Sequence, residues 1–221
     1  MASGRIKAVV FDLDGTLLDT LGDLAASGNA VLRKRGLPEH ETDAYRHFIG
    51  SGMSNLVWRI FPEDAKPAEG LEQEEVLADY KAEYSRRWKE TTRLYDGIAD
   101  LLDELEARGI ALGVLSNKAH AFTEQCVEAF LGNWNWTVIL GQRDGIPHKP
   151  DPAGAIEIAR RFGQNVESCA FVGDSGVDMA TGVASGMFPV GVRWGFRDAA
   201  ELQEAGAEVL IERPGDLLDL L

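Results

Sequence analysis

Two carboxylates two positions apart, Asp12 and Asp14, follow a short apolar segment near the start of the chain. The segment, residues 6–11, is rich in β-branched side chains, which is typical of a buried strand, and Gly15 allows the chain to turn after it. Two ionised carboxylates about 4 Å apart repel by roughly 4 kcal/mol at an effective dielectric of about 20. We therefore expect a divalent cation or a raised pKa at this strand end. For these residues alone, the alternative is a polar turn in which Thr16 caps a helix.

A second polar group, Ser116, Asn117 and Lys118, follows an apolar strand predicted over residues 110–115. It comes just before a helical pattern over residues 119–131. A hydroxyl, an amide and a cation at the start of a helix suit the oxygens of a phosphate. The alternative is that Ser116 or Asn117 only caps the helix.

A third candidate, Lys149, stands between a Gly-Ile-Pro turn and the segment Pro-Asp-Pro. The two following prolines favour an extended lead-in to a helix, which we predict over residues 153–162. A solvated surface lysine is the ordinary alternative. We favour a functional role because the same chain contains the other polar motifs at strand ends.

A fourth group, Asp174 and Asp178, follows the apolar strand predicted at residues 169–173. Their spacing of four predicts that both carboxylates share one face of a helix. Stabilisation of a helix N-terminus, worth up to about 1 kcal/mol, is the alternative. Four polar strand ends in one chain favour a shared site over four unrelated caps and turns.

The elements around these motifs indicate an α/β fold. From residue 94 onward, predicted helices over 97–108, 119–131, 153–162 and 177–185 alternate with strands beginning near residues 110, 136, 169 and 188, and a last strand is predicted over 208–211. This alternation favours a parallel sheet covered on both faces, with ligands bound beyond the carboxyl ends of its strands. Residues 18–92 contain no convincing buried strand; their helical patterns lie at 20–35, 41–48, 53–61 and 71–89.

These motifs, in this order, resemble those of phosphatases of the haloacid dehalogenase superfamily, and among them the phosphoglycolate-phosphatase-like members. The matching residues are Asp-Leu-Asp-Gly-Thr at 12–16, Ser116, Lys149, and Gly-Asp at 173–174 together with Asp178. Weaker matches lie at residues 17–20, 94–97, 116–118 and 194–196. The resemblance covers nearly the whole chain. It implies a doubly wound, Rossmann-like parallel sheet core with an inserted small α-helical cap domain.

The resemblance also implies catalytic roles. Asp12 would attack phosphorus and carry a transient aspartyl-phosphate, which divides one difficult displacement into two easier ones. Asp14 would protonate the leaving alcohol and then deprotonate the hydrolytic water. Ser116 and Lys149 would contact phosphoryl oxygens, so that charge in the transition state meets preorganised donors.

The same resemblance implies a bound Mg²⁺, a cation that prefers oxygen ligands. Its ligands would be the carboxylates of Asp12 and Asp174 and the backbone carbonyl of Asp14, with Asp178 orienting them from outside. Thr16 and Asn117 are expected to support substrate binding in the same loops.

Residues 18–90 are the expected cap domain, and residues 1–17 with 91–221 the expected core domain. Within the cap, the glycine-flanked Ser51, preceded by Gly50, offers backbone donors to an anionic substrate tail. An ordinary turn between helices is the equal alternative for this stretch.

Composition restricts the partners. The chain has 22 basic and 36 acidic residues and a net charge of −14, which argues against binding to nucleic acids or anionic membranes. Cys126 and Cys169 fall in buried patterns and predict core thiols, not a disulfide framework. The first five residues lack a signal-like apolar stretch, and no run approaches the ~20 apolar residues that cross a bilayer. We therefore expect a cytoplasmic monomer or homodimer that acts on a small phosphorylated metabolite.

The alternatives to a phosphatase are other enzymes of the same superfamily and a non-enzymatic receiver domain. A dehalogenase of the same superfamily has no need of Asp14 as an acid, so the presence of Asp14 argues against that activity. A receiver domain, which accepts phosphate on an aspartate without turnover, lacks a cap-sized insertion, so residues 18–90 argue against that class. A phosphomutase or phosphonate hydrolase would differ mainly in cap residues and stays open. Phosphoglycolate is the favoured substrate, while sugar phosphates, nucleoside monophosphates and pyrophosphate stay open.

Overall fold

The computed structural model describes residues 6–221, in two compact units. The core unit joins the chain up to Leu18 to Leu94–Leu221, and the helical unit is Asp19–Arg93. Residues 1–5, which are predicted to belong to the core domain and to lack a signal-like stretch, lie outside the described residues.

The core unit is built on a sheet of six strands that pair in parallel. The strands are β1 (Ala8–Phe11), β4 (Ala111–Ala119), β5 (Trp136–Gln142), β6 (Cys169–Gly173), β7 (Phe188–Val192) and β8 (Val209–Ile211). Their spatial order is β5-β4-β1-β6-β7-β8, so that β1 lies between β4 and β6. With its flanking helices, this sheet confirms the predicted α/β, Rossmann-like fold.

Five helices of the core unit connect or follow these strands. They are α4 (Ile98–Ala107), α5 (His120–Leu131), α6 (Ala153–Phe162), α7 (Gly176–Ser185) and α8 (Ala199–Glu204). Helix α6 shows how they pack: its buried residues Ala155, Ile158 and Ala159 join one apolar cluster with side chains from β1, β4, β5 and β6. Burial of apolar surface of this kind is the main driving force for such a layered fold.

The helical unit contains α1 (Leu21–Lys34), α2 (Met53–Ile60) and α3 (Leu71–Arg87). Two 3-10 helices, Thr42–His47 and Glu63–Ala65, lie between them, so the helix predicted over 41–48 is a 3-10 helix. The strands β2 (Leu18–Asp19) and β3 (Arg93–Leu94) pair with each other where the chain passes between the units. As expected, the interior of the described helical unit contains no longer strand.

Three features differ from the sequence-based expectations. Strand β4 continues to Ala119, beyond the predicted end at residue 115, because pairing with β5 resumes at Gln142 after an irregularity. Asp174 lies ahead of α7, so the idea that it shares a helix face with Asp178 is wrong. Helix α8, which is only six residues long, was not predicted.

Both cysteines, Cys126 and Cys169, are free and buried. Within residues 6–221, no helix combines the length and the apolar character needed to cross a bilayer.

Candidate active site

The sheet brings three of the polar strand ends together. Phe11 of β1 pairs with Val114 of β4 on one side and with Val172 of β6 on the other. Because all three strands run in the same direction, the residues that follow these positions meet at one edge of the sheet. Asp12 therefore lies between Ser116, in the second half of β4, and Asp174, directly after β6.

Three buried carboxylates form the centre of the site. Asp12, Asp174 and Asp178 are 8%, 2% and 0% exposed, and each contributes an oxygen to a group of atoms within 4.8 Å of one another. Within residues 6–221, no donor makes a hydrogen bond to the buried Asp12 Oδ1. Carboxylate oxygens in this arrangement are the ligands that a hard divalent cation prefers, so the residues fit Mg²⁺. Asp178, expected only behind the metal ligands, is itself a member of the cluster.

Lys149 contributes the cation that faces this cluster. Its Nζ lies 2.8 Å from Asp12 Oδ1 and 2.7 Å from Asp178 Oδ1, with only 3% of the side chain exposed. The contact with Asp178 is a hydrogen bond, whereas the one with Asp12 is an ion pair outside hydrogen-bond geometry. One ammonium group thus stands against three carboxylates.

Burial and the neighbouring charges shift the pKa values of these groups. Burial raises the pKa of Asp12 to about 7; the Lys149 ammonium opposes this shift and the Asp178 carboxylate adds to it. Burial, followed by the neighbouring Asp178 and Asp12 carboxylates, raises the pKa of Asp174 well above its usual range. Burial alone would lower the pKa of Lys149, but the two acids that it faces raise it above the ordinary value. The sequence-based expectation of a raised pKa thus agrees with these environments.

Short contacts orient Asp174 and Asp178. Thr16 Oγ1 donates to Asp174 Oδ1 at 3.3 Å, and the backbone N–H of Phe196 donates to Asp174 Oδ2 at 2.7 Å. Ser175 donates to Asp178 Oδ2 through its backbone N–H at 3.1 Å and through its hydroxyl at 2.6 Å. The Thr16 hydroxyl, which we expected to assist substrate binding, is thus directed at a carboxylate.

Asn117 links the second motif to the third. Its side-chain Nδ2 donates to the backbone carbonyl of Lys149 at 3.1 Å, and its Oδ1 accepts from the backbone N–H of Lys149 at 2.8 Å. The amide thereby holds the backbone from which the lysine extends. Ser116 is 4% exposed, and its Oγ accepts from the backbone N–H of Lys118 at 3.3 Å.

Asp14 has a partner that the sequence analysis did not assign. Lys118 Nζ donates to its Oδ1 at 3.0 Å and to its Oδ2 at 2.9 Å. The sequence offered one signal, a cation at the end of a predicted strand, which we interpreted as suiting phosphate oxygens.

A loop after β7 also contacts the site. Trp194 Nε1 donates to the backbone carbonyl of Thr16 at 3.0 Å, and a Cβ placed on Gly195 would lie 2.2 Å from Asp174 Cβ. The indole N–H of Trp194 thus ties this loop to the first motif. No sequence pattern indicates the contact between Phe196 and Asp174, because a backbone group makes it.

Gly50 and Ser51 lie in the helical unit, between the 3-10 helix Thr42–His47 and α2. Gly50 has a φ of 113°, a conformation that glycine adopts readily, and the Ser51 carbonyl accepts from Asn55 Nδ2 at 2.7 Å. Their contact with a substrate stays a prediction.

Known proteins resemble this chain along its whole length. The model of the family "haloacid dehalogenase-like hydrolase" matches residues 9–192. A phosphoglycolate phosphatase of Chromobacterium violaceum is 31% identical over 98% of this chain and 97% of the relative. An N-acetylmuramic acid 6-phosphate phosphatase of Pseudomonas putida is 32% identical over 96% of this chain and 95% of the relative. The crystal structure of a candidate phosphoglycolate phosphatase from Lactobacillus delbrueckii subsp. bulgaricus covers 98% of this chain and 99% of its own, with a TM-score of 0.89 and 29% identity.

Proposed function

Since the chain belongs to the haloacid dehalogenase-like hydrolase family, we propose that it hydrolyses a small phosphomonoester through an aspartyl-phosphate on Asp12, with Mg²⁺ bound. The predicted resemblance to phosphoglycolate-phosphatase-like members of this family is confirmed, and so is the prediction of a phosphoric monoester hydrolase of that kind. The observation that supports the proposed reaction is the buried cluster of Asp12, Asp174 and Asp178 beside Lys149.

In the first step, a carboxylate oxygen of Asp12 forms a bond to phosphorus while the bond from phosphorus to the alcohol oxygen breaks. Asp14 gives its proton to the departing oxygen, so that an alcohol leaves instead of an alkoxide. The Ser116 hydroxyl and the Lys149 ammonium contact the phosphoryl oxygens. These buried donors need little rearrangement as charge develops, which favours the transition state over the bound substrate.

In the second step, a water oxygen bonds to the same phosphorus and the bond to Asp12 breaks. Asp14, now ionised, takes the proton of the water, and inorganic phosphate leaves. Both carboxylates return to their starting state, and atoms and protons balance over the cycle: ester and water give alcohol and phosphate.

The carboxylates of Asp12 and Asp174, with the backbone carbonyl of Asp14, would hold Mg²⁺, and Asp178 would orient them. When bound, the cation supplies positive charge against the phosphoryl oxygens and against the acids that face each other. The three facing carboxylates and the raised pKa values of Asp12 and Asp174 support this assignment, because a bound cation would offset the cost of burying these acids beside one another.

The favoured substrate is 2-phosphoglycolate. It is the substrate of the Chromobacterium violaceum relative, whereas an equally similar relative is named for N-acetylmuramic acid 6-phosphate. A sugar phosphate of that kind is therefore the second candidate. We further propose that residues 18–90 form a cap that selects among such substrates, with Thr16 and Asn117 in the core domain and Gly50 and Ser51 in the cap contributing to substrate binding.

The test measures phosphate release from 2-phosphoglycolate, N-acetylmuramic acid 6-phosphate and other small phosphomonoesters, with and without Mg²⁺. We expect metal-dependent turnover that is greatest with 2-phosphoglycolate and is lost in Asp12→Asn. The matched control is Asp100→Asn, which neutralises an exposed carboxylate in α4. If 2-phosphoglycolate is among the poorest substrates, the substrate assignment is wrong. If no ester is hydrolysed, the phosphatase itself is wrong, and a phosphomutase, a phosphonate hydrolase or a phosphate-accepting regulator becomes the better reading.

A further inference from the structure

Two buried lysines, Lys149 and Lys118, contact different carboxylates of the site. Lys149 faces Asp12 and Asp178, whereas the Lys118 ammonium contacts both oxygens of Asp14. The second lysine is as deeply buried as the first, with 4% of its side chain exposed, and Asp14 retains 12%. A buried lysine that contacts both oxygens of a half-buried carboxylate far away in the chain restricts the positions that the carboxylate can adopt.

The strand that carries Lys118 explains how it reaches Asp14. Strand β4 pairs directly with β1 up to Val114 and Phe11. After these two residues, both segments continue toward the same edge of the sheet. Lys118 lies four residues beyond its paired position and Asp14 three beyond its own. Thr123 Oγ1 donates to the backbone carbonyl of Lys118 at 3.1 Å, so the backbone beneath the lysine is also held.

Adjacent residues of β4 therefore position two different loops. Asn117 binds the backbone of Lys149 through both ends of its amide, and Lys118 binds the carboxylate of Asp14 through both oxygens. The hydrogen bonds of Asn117 fix the backbone from which the Lys149 side chain extends toward Asp12. The contacts of Lys118 fix the carboxylate of Asp14, the proposed acid and base.

We propose that Lys118 is a positioning residue for Asp14: it holds that carboxylate beside the reacting phosphoryl group and affects the reaction only through it. This inference rests on the proposed function, in which Asp14 moves the proton of the leaving alcohol and of the water. Misplacement of a catalytic group by about 1 Å can cost on the order of 100-fold in rate.

The test compares two leaving groups in Lys118→Met. An alkyl phosphate such as 2-phosphoglycolate needs a proton on its departing oxygen, whereas p-nitrophenolate leaves without one. We expect kcat/KM for the alkyl ester to fall by about 100-fold, and by at least about tenfold more than kcat/KM for p-nitrophenyl phosphate, because general acid catalysis contributes in that range. Lys118→Arg, which keeps the charge and two donors, should recover part of the loss. Lys7→Met, an exposed lysine of the same unit, is the matched control.

A double-mutant cycle with Asp14→Asn separates positioning from direct contact with substrate. If Lys118 acts only through Asp14, adding Lys118→Met to Asp14→Asn changes kcat/KM by less than about twofold. A further tenfold loss in the double variant, or equal losses for both leaving groups in the single one, overturns the proposal and assigns Lys118 to the substrate itself. Where Lys118→Met does not fold, as shown by circular dichroism, Lys118→Gln is used for the same two comparisons. If the wild-type chain hydrolyses neither ester, the proposed function itself is wrong. This outcome differs from the results that would overturn only the role of Lys118, because those require an active wild type.

Discussion

Each unit contains a buried carboxylate, but the two are accommodated in opposite ways. In the helical unit, Asp23 is 1% exposed and accepts four hydrogen bonds, from the backbone N–H and hydroxyl of Thr91 at 2.8 and 2.6 Å and from those of Thr92 at 3.0 and 2.7 Å. In the core unit, Asp12 is also buried, yet among residues 6–221 no donor makes a hydrogen bond to its Oδ1. The Lys149 ammonium pairs with that oxygen at 2.8 Å, and two further acids lie beside it.

The difference separates a carboxylate that stabilises the fold from one that is available for chemistry. The four hydrogen bonds to Asp23 replace those that its carboxylate would make with water. Because both oxygens already accept hydrogen bonds, this carboxylate has no capacity left for a ligand. Asp12 has the Lys149 ammonium but also two further acids beside it, and the proposed Mg²⁺ would offset this negative charge. Sites of reaction commonly carry a local cost in stability of this kind.

The largest expected effect comes from Asp12→Asn. The amide has the size of the carboxylate but is not a nucleophile, so we expect turnover to fall by at least about 10³-fold. Without metal, its free energy of unfolding should equal or exceed that of the wild type, because one charge leaves a crowded cluster. Steady-state kinetics and urea unfolding measure the two quantities. Hydrolysis at the wild-type rate would remove Asp12 from its proposed role.

Next in size is Asp23→Ala, which leaves four donors without their acceptor. We expect a loss of about 3 kcal/mol in the free energy of unfolding, followed by circular dichroism in urea. The control is Asp79→Ala, in which a partly exposed carboxylate of the same unit loses contacts with Lys34 and Arg35. Such pairs contribute less than about 1 kcal/mol. Equal losses in the two variants would mean that the four hydrogen bonds to Asp23 stabilise the fold no more than the ion pairs of a partly exposed carboxylate do.

Addition of Mg²⁺ sharpens the same comparison. A cation bound only by the folded chain stabilises it by about 2.7 kcal/mol at 100 times its dissociation constant. We expect a rise of that order in the free energy of unfolding for the wild type and for Asp23→Ala, and little rise for Asp12→Asn or Asp174→Asn. Denaturation curves with added Mg²⁺ or with chelator provide the readout without any substrate. Undiminished stabilisation of the Asp174 variant would place the cation elsewhere.

The smallest expected effect is that of Gly195→Ala. The added Cβ would lie 2.2 Å from Asp174 Cβ and 2.5 Å from the carbonyl oxygen of Gly15, so the loop or Asp174 must shift. We expect kcat/KM to fall by about tenfold, since displaced catalytic groups lose rate steeply. Gly215→Ala is the control, because a Cβ there meets no atom within 4 Å. If the two variants have the same activity, the loop after β7 does not hold Asp174 in its working position.

Much of the fold was predictable from local pattern. The helices observed at Ala153–Phe162 and His120–Leu131 fall within one residue of the predicted bounds, because a regular apolar face and flanking breakers are properties of a short stretch of chain. Less was predictable where pairing decides the structure. Strand β4 extends to Ala119 because β5 lies beside it, and the six residues of α8 offer too short a period to recognise.

For the site, local pattern was enough to find the residues that follow or end apolar segments, Asp12, Ser116 and Asp174. A parallel sheet then brings them to one edge. The contacts between these groups could be known only from the folded chain. The pairing of Lys118 with Asp14, the bonds from Asn117 to the backbone of Lys149 and the N–H of Phe196 on Asp174 join residues 22 to 104 positions apart. No local pattern carries such choices, because they depend on distances that exist only after the strands have packed.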